Sequence, residues 1–257
     1  MSTLHAEGGP VALTSDADVA VISLNRPHRL NAVNDELVEG LLDALREVAA
    51  SDCGAVLLTG RGRAFCAGHD LKEPRGDDDT LVRRLEHLQD ITRRIRALPI
   101  PVIAAVHGHA VGAGAEFALG CDLVVAAEGT RFRFPEVGLG LSVTGGVTKL
   151  LPLLVGPVRA KELVLLGEAI DAHEALRLGL VNSVVPPNEL IDAAMQWARQ
   201  LAGQPRVPTA LAKEALDNGI DAAFEAALEV EISHAVITDG IAGRGDEAVN
   251  ASRARNQ

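Results

Sequence analysis

The run Val102-Ile103-Ala104-Ala105-Val106 and the glycine-rich run Val111-Gly112-Ala113-Gly114-Ala115-Glu116 that follows it decide the fold. A short, wholly apolar run bounded by turn residues is typical of a strand that is buried in a sheet. The glycines allow a tight turn after the strand, and we expect a short helix from there to Gly120. The sequence therefore predicts a strand, a turn and a helix that carry Glu116 into a pocket.

The same alternation of strands and helices extends on both sides of this unit. Apolar runs predict strands at 19–24, 55–59 and 123–126. Helical spacing of apolar residues predicts helices at 35–50 and from Asp79 or Thr80, as the N-cap, to about residue 97. Strands that alternate with helices in this way predict crossover connections and a largely parallel sheet, so the expected fold class is α/β.

Beyond Gly145 the pattern becomes mainly helical. Helices are predicted at 171–179, 189–202, 207–218 and 222–237, with one strand-like run at 181–185. Asp171 is a suitable N-cap and Gly179 a suitable helix stop. We divide the chain into a core at 1–195 and a helical region at 196–257. The apolar faces of 189–202 and 222–237 require a cover, which predicts an oligomer.

Composition excludes several classes of protein. The 257 residues carry a formal net charge of −11, which argues against nucleic acid as the main partner. We expect neither a signal peptide nor a membrane-spanning segment. Three scattered cysteines fit a reduced, cytoplasmic protein, and His107 and His109 lack a third metal ligand nearby, so we expect no metal site. The glycine spacing does not match a dinucleotide-binding fingerprint, which argues against an NAD-dependent oxidoreductase.

Two glutamates stand out as candidate acid–base groups. Glu116 ends the glycine-rich run, and Glu136 follows Pro135 in Arg131-Phe132-Arg133-Phe134-Pro135-Glu136. Carboxylates on separate elements can divide proton-transfer work, since one can act as the base while the other, with a raised pKa, remains an acid. The alternative is that both glutamates lie in surface turns. A third segment upstream argues against this alternative, and it reads Ala64-Phe65-Cys66-Ala67-Gly68-His69-Asp70-Leu71-Lys72.

Taken together, these segments resemble the crotonase (enoyl-CoA hydratase/isomerase) superfamily. The resemblance covers roughly residues 15 to 215 and rests on the order of its motifs, which are Asn25-Arg26-Pro27, the segment 64–72, Gly112 to Glu116, Phe134 to Gly140, Gly145-Gly146, Leu150-Leu151, Gly156 and Ala175 to Val181. It implies a crotonase-like spiral of ββα repeats with a helical C-terminal oligomerisation region, assembled as a homotrimer or a homohexamer. It also implies an acyl-CoA substrate, with coenzyme A as part of that substrate and no separate cofactor.

The resemblance also implies roles for particular residues. The backbone amides of His69 and Ala113 match the oxyanion hole, and Glu116 and Glu136 match the two catalytic glutamates of the hydratases. The positions expected to contact coenzyme A are Arg29, Leu30, Ala67, Asp70, Leu71 and Lys72. Asp70 could instead brace the loop, and the His69 side chain could pack, hydrogen-bond or act as an acid.

The subfamily stays open at this point. Retention of both glutamates favours an enoyl-CoA hydratase, because many isomerases keep only one acid. A double-bond isomerase, other crotonase chemistry and a catalytically silent acyl-CoA-binding relative are the alternatives. The segment Leu141-Ser142-Val143-Thr144 replaces the Pro-Gly-rich turn of typical hydratases, which puts a short, straight-chain substrate in doubt.

Overall fold

The computed structural model describes residues 5–6, 8–72 and 78–221, together with residues 225, 228, 229, 232, 233 and 236. Its strands are β1 (His5–Ala6), β2 (Val11–Asp16), β3 (Val19–Leu24), β4 (Ala55–Gly60), β5 (Val102–Val106), β6 (His109–Val111), β7 (Leu123–Ala127), β8 (Arg131–Arg133), β9 (Ile170–Asp171) and β10 (Ser183–Val185). Its α-helices are α1 (Asp35–Ala49), α2 (Asp78–Ala97), α3 (Ala113–Gly120), α4 (Val147–Val155), α5 (Pro157–Leu166), α6 (Ala172–Leu178), α7 (Leu190–Ala202) and α8 (Arg206–Asp221). Most of the helix predicted at 222–237 lies outside the described residues.

The larger sheet of the described chain has the strand order β1-β2-β3-β4-β5-β7-β10. Neighbouring strands from β3 to β10 run parallel, which confirms the predicted α/β class. At the other edge β1 and β2 pair antiparallel, and neither was predicted. The second half of β2 is only partly buried and carries Thr14, Ser15 and Asp16, so its apolar pattern is weak.

A smaller sheet lies beside the larger one and sets the position of the glycine-rich turn. It consists of β6, β8 and β9, of which β6 and β8 run parallel. The amide of Gly112 donates to the carbonyl of Arg133 at 2.9 Å. This pairing places the end of β6, where α3 begins, against the end of β8, which leads to Glu136.

The helix caps agree with the sequence in part. Asn34 accepts a hydrogen bond from the amide of Leu37 and begins α1, and Asp171 accepts one from the amide of Glu174 and begins α6 as predicted. Gly179 ends α6 in the left-handed conformation, also as predicted. The predicted cap of α2 is wrong, because the helix begins at Asp78, and Asp79 and Thr80 lie inside its first turn.

The apolar face of α7 does not require a partner molecule, which corrects part of the argument for an oligomer. Leu190, Ala194, Met195 and Ala198 are buried against strand residues of the same chain, among them Leu57 and Ile103. The opposite face of the sheet packs on α1, α2 and α3. The larger sheet therefore buries both its faces within one chain, as a parallel sheet requires.

Asn31 joins the loops that lead to the functional site. It is fully buried in the left-handed conformation, with φ 56°. Its side-chain amide donates to the carbonyls of Arg61, Ala64 and Phe65 at 3.0, 2.8 and 3.1 Å, and its carbonyl accepts from the amide of Arg26 at 2.8 Å. One side chain thus satisfies the backbone groups of two loops.

Replacing Asn31 is expected to destabilise the protein. Asn31→Ala leaves several buried backbone groups without partners and places a residue with a Cβ but no local hydrogen bond in the left-handed region. We expect the free energy of unfolding to fall by about 2–4 kcal/mol, measured by urea unfolding. Asn25→Ala, which removes an exposed hydrogen bond to Gly9, is the matched control. Equal losses in the two variants would contradict the role given to Asn31.

Candidate active site

The segment 64–70 is held between two stretches of backbone. On one side the amide of Cys66 donates to the carbonyl of His109 at 2.9 Å, and the amide of Val111 donates to the carbonyl of Cys66 at 3.0 Å. On the other side the amide of Ala67 donates to the carbonyl of Leu30 at 3.0 Å. The loop is therefore fixed as if it were a strand, although it has no regular structure of its own.

The backbones at Gly68 and Gly112 approach each other closely. A Cβ built on Gly68 would lie 2.7 Å from the carbonyl oxygen of Val111 and 3.9 Å from the Cα of Gly112. Both glycines have positive φ, 87° and 50°, so an L side chain would be strained at either position. The next residues are His69 and Ala113, and neither of their backbone amides donates a hydrogen bond within the described part of the chain.

Glu116 lies in the first turn of α3, where it is almost fully buried. Its carboxylate accepts two hydrogen bonds from Thr144, one from the backbone amide at 3.0 Å and one from the hydroxyl at 2.7 Å. The turn behind it is tight, since a Cβ built on Gly145 would lie 2.7 Å from the Cβ of Glu116. Donors on both oxygens favour the ionised form of a carboxyl group.

Glu136 lies at the start of the short 3-10 turn Val137–Leu139 and is also buried. A Cβ built on Gly112 would lie 2.6 Å from its Oε1, so the carboxyl group rests against the glycine that begins α3. In the described part of the chain its Oε2 has no hydrogen-bond partner. Burial raises the pKa of Glu136 to about 7, which keeps much of it protonated at neutral pH.

The structure thus brings the two predicted glutamates to the first turn of α3 from separate elements. Glu136 rests on Gly112, and the carbonyl of Gly112 accepts the hydrogen bond from the amide of Glu116 at 3.0 Å. Both carboxyl groups are buried, but Glu116 has a donor on each oxygen, whereas Oε2 of Glu136 has none in the described part of the chain. An acid and a base with different protonation preferences suit proton transfer to and from one bound molecule.

The positions predicted to contact coenzyme A lie on two adjacent segments that meet where Ala67 bonds to Leu30. Arg29, Leu71 and Lys72 are exposed, and Leu30 and Ala67 are partly buried. Asp70 instead forms an ion pair with Arg26 at 3.1 Å, and the Arg26 guanidinium also bonds to the carbonyl of Ala32. Arg26 and Asp70 therefore brace the loop, which agrees with the second role considered for Asp70.

The His69 side chain lies beside a cavity of about 250 Å³ between the start of α1 and α2. Arg83, Arg84 and His87 also line this cavity. The residue as a whole is exposed, yet burial of its ring among its neighbours lowers the pKa of His69. A lowered pKa favours the neutral ring and gives no support to His69 as a general acid.

Two important residues were missed by sequence reasoning. Thr144 supplies both donors to Glu116, yet the sequence only indicated that 141–144 departs from a family turn. Gln89, fully buried in α2, accepts from the amide of Gly145 at 2.7 Å. A polar residue on the predicted inner face of an amphipathic helix was the available signal for Gln89.

The raised pKa of Glu136 predicts a pH-dependent stability. The ordinary value is 4.5 and the folded value is about 7, so the folded chain binds more protons than the unfolded chain between these values. The free energy of unfolding therefore falls as the pH rises through this window. Gln is neutral at every pH, so this loss is absent from Glu136→Gln. Between pH 5 and pH 8 the free energy of unfolding of the variant should therefore rise relative to that of wild type by on the order of 3 kcal/mol. Urea unfolding at pH 5 and at pH 8 measures the difference between the variant and wild type. Glu128→Gln, which changes an exposed glutamate, is the control and should show no such difference with pH.

Comparison with known proteins agrees with this geometry. Residues 14–239 match the family model for enoyl-CoA hydratase/isomerase. The short-chain-enoyl-CoA hydratase of Clostridium acetobutylicum is 39% identical over 86% of this chain and 86% of its own length, and the 1,2-epoxyphenylacetyl-CoA isomerase of Escherichia coli is 41% identical over 88% and 86%. A solved enoyl-CoA hydratase from Mycobacterium avium subsp. paratuberculosis superimposes with a TM-score of 0.83 at 30% identity, over 91% of this chain and 95% of that one. The chain belongs to the enoyl-CoA hydratase/isomerase family and has its crotonase-like fold.

Proposed function

We propose that this protein is an enoyl-CoA hydratase, which adds water reversibly and syn across the double bond of a 2-enoyl-CoA thioester. The observation that carries the proposal is the pair of buried carboxyl groups at the first turn of α3, one with a donor on each oxygen and the other with an oxygen that lacks a donor in the described part of the chain. Similarity to the short-chain-enoyl-CoA hydratase of Clostridium acetobutylicum, 39% identical, supports it.

In this proposal the backbone amides of His69 and Ala113 form the oxyanion hole for the thioester oxygen. Support comes from the close approach of Gly68 and Gly112 and from the lack of another described acceptor for either amide. Ala113 is also the first residue of α3, so the positive end of the helix dipole adds to the site. Preorganised donors act where negative charge develops, and the loss of one costs about 3 kcal/mol of transition-state stabilisation.

The two glutamates would divide the proton transfers. Glu116 accepts a proton from a water molecule while the water oxygen attacks the β-carbon, and the π electrons move to the thioester oxygen as an enolate. Glu136 then gives its proton to the α-carbon as the enolate collapses to the thioester. The product gains one water, and the carboxyl groups are restored when the proton on Glu116 passes through solvent water to Glu136. The pKa of about 7 suits Glu136 for the acid role.

The coenzyme A part of the substrate is expected along the two segments on either side of Leu30 and Ala67. The exposed cations Arg29 and Lys72 would meet its phosphates, and Leu30, Ala67 and Leu71 would line the groove for the adenine and pantetheine groups. Asp70 would contribute through its ion pair with Arg26, which holds the loop in place. No separate cofactor enters this reaction.

Assembly as a homotrimer or a dimer of trimers is part of the proposal. Since α7 is covered by its own chain, the support now comes from apolar residues exposed on α4 and α5, which are Leu153, Leu154, Val158, Leu165 and Leu166.

No helix in the described part of the chain is long and apolar enough to cross a membrane. A cytoplasmic location, and the division into a core at 1–195 and a helical region at 196–257, stay predictions; residue 195 lies within α7.

A double-bond isomerase is the alternative within the same chemistry. A solved monofunctional enoyl-CoA isomerase from Mycobacterium smegmatis, 32% identical to this chain with a TM-score of 0.71, favours keeping it in view. An isomerase moves a proton between carbons and needs no carboxyl group to activate water. Two buried carboxyl groups that differ in their hydrogen-bond donors therefore support the hydratase over the isomerase, and over a silent acyl-CoA binder.

Hydration of crotonyl-CoA and of a longer 2-enoyl-CoA tests the proposal, followed by loss of the conjugated thioester absorbance. We expect turnover by wild type, and kcat at least about 100-fold lower in Glu116→Gln and in Glu136→Gln. Because the acid must be protonated, kcat/KM of wild type should also fall as the pH rises above about 7.

The control for these variants is Glu128→Gln, which changes an exposed glutamate and should leave kcat unchanged. Conversion of a 3-enoyl-CoA without hydration of the 2-enoyl-CoA would favour the isomerase. Tight binding of acyl-CoA with no turnover of either substrate would rule out both enzymes.

A further inference from the structure

A buried amide connects the C-terminal part of the chain to the turn that holds Glu116. Gln89 lies in α2 and is fully buried. Its carbonyl oxygen accepts from the backbone amide of Gly145 at 2.7 Å, and its NH₂ group donates to the carbonyl of Leu228 at 3.2 Å. One side chain therefore accepts a hydrogen bond from one segment and donates a hydrogen bond to another that is distant in the sequence.

The contact at Gly145 bears directly on the proposed catalytic base. Thr144, the preceding residue, gives its amide and its hydroxyl to the carboxylate of Glu116. Gly145 itself packs so closely on Glu116 that a Cβ there would lie 2.7 Å from the Cβ of the glutamate. A shift of the 144–145 backbone would therefore move both hydrogen bonds and the packing surface of Glu116.

The contact at Leu228 sets the orientation of the Gln89 amide. A carbonyl can only accept, so Leu228 requires the NH₂ group on its side and thereby turns the oxygen of Gln89 toward Gly145. Leu228 is itself fully buried and packs against Leu150 in α4, so its carbonyl is anchored by an apolar contact. A buried polar group with both ends satisfied has a single favourable orientation.

We propose that Gln89 is a positioning residue, through which the segment containing Leu228 holds the Thr144–Gly145 turn and so orients Glu116. The proposal rests on the function proposed for Glu116, but it concerns a residue that does not touch the substrate. It implies that the contact between Gln89 and Leu228 affects the chemical step rather than substrate binding.

Kinetics of Gln89→Met test this role. The substitution keeps a long side chain of similar volume and removes both hydrogen bonds. We expect kcat for 2-enoyl-CoA hydration to fall about tenfold or more while KM changes less than about threefold, since the loss affects the proton transfer and not acyl-CoA binding. The matched control is Thr92→Val in the same buried helix, whose hydroxyl has no partner in the described part of the chain. The proposal fails if Gln89→Met keeps the wild-type kcat.

A double-mutant cycle tests the connection to Leu228. Leu228→Ala weakens the packing on Leu150 but leaves the backbone carbonyl in place. If its effect passes through Gln89, it should lower kcat in the wild-type background and add little in the Gln89→Met background. Equal fold-losses in both backgrounds would show that Leu228 acts independently and would overturn the proposed route.

Amide hydrogen exchange separates this proposal from the proposed function. Peptides that cover residues 141–150 should exchange faster in Gln89→Met than in wild type or Thr92→Val, whatever reaction the enzyme catalyses. If wild type fails to hydrate any 2-enoyl-CoA but this difference in exchange is found, the proposed function fails and the positioning contact stands. Unchanged exchange at 141–150 would reject the positioning contact even in an active hydratase.

Discussion

The backbone at Gly68 lies so close to the carbonyl of Val111, just before Gly112, that no side chain fits at Gly68, and the geometry of the site depends on this approach. β6 makes it possible. This strand bonds on one side to the segment around Cys66 and on the other to β8. Three segments that are distant in sequence are therefore brought into register, and the amides that follow the two glycines, together with Glu136, are placed around one small volume.

Different surroundings give the two glutamates different properties. Thr144 places two donors on Glu116, which suits the ionised form, whereas the Oε2 atom of Glu136 is buried and lacks a donor in the described part of the chain. Desolvation then raises the pKa of Glu136 to about 7. Two side chains of the same type can thus serve as base and acid, because both are buried but only Glu116 has a donor on each oxygen to favour its ionised form.

The sequence predicted the features that depend on local pattern. Strand Val102–Val106 and the cap at Asp171 are confirmed because an apolar run or a single cap residue specifies them. Strands β6 and β8, three residues each, were missed because they are stabilised by pairing with segments that are distant in the sequence. The family resemblance pointed to the glutamates, but Thr144 and Gln89 act across long sequence separations that no local pattern reveals.

The cost in stability is concentrated where the chemistry is proposed. A buried carboxyl group without a donor on one oxygen lowers the stability of the folded state once it ionises, and Glu136 is such a group. The surrounding structure offsets this cost with well-satisfied polar groups, among them Asn31, which meets four backbone groups, and Gln89, which meets two. A loop fixed by buried amides can hold a desolvated acid in place. A buried carboxyl group with an unsatisfied oxygen, such as Glu136, is therefore a feature that points to function.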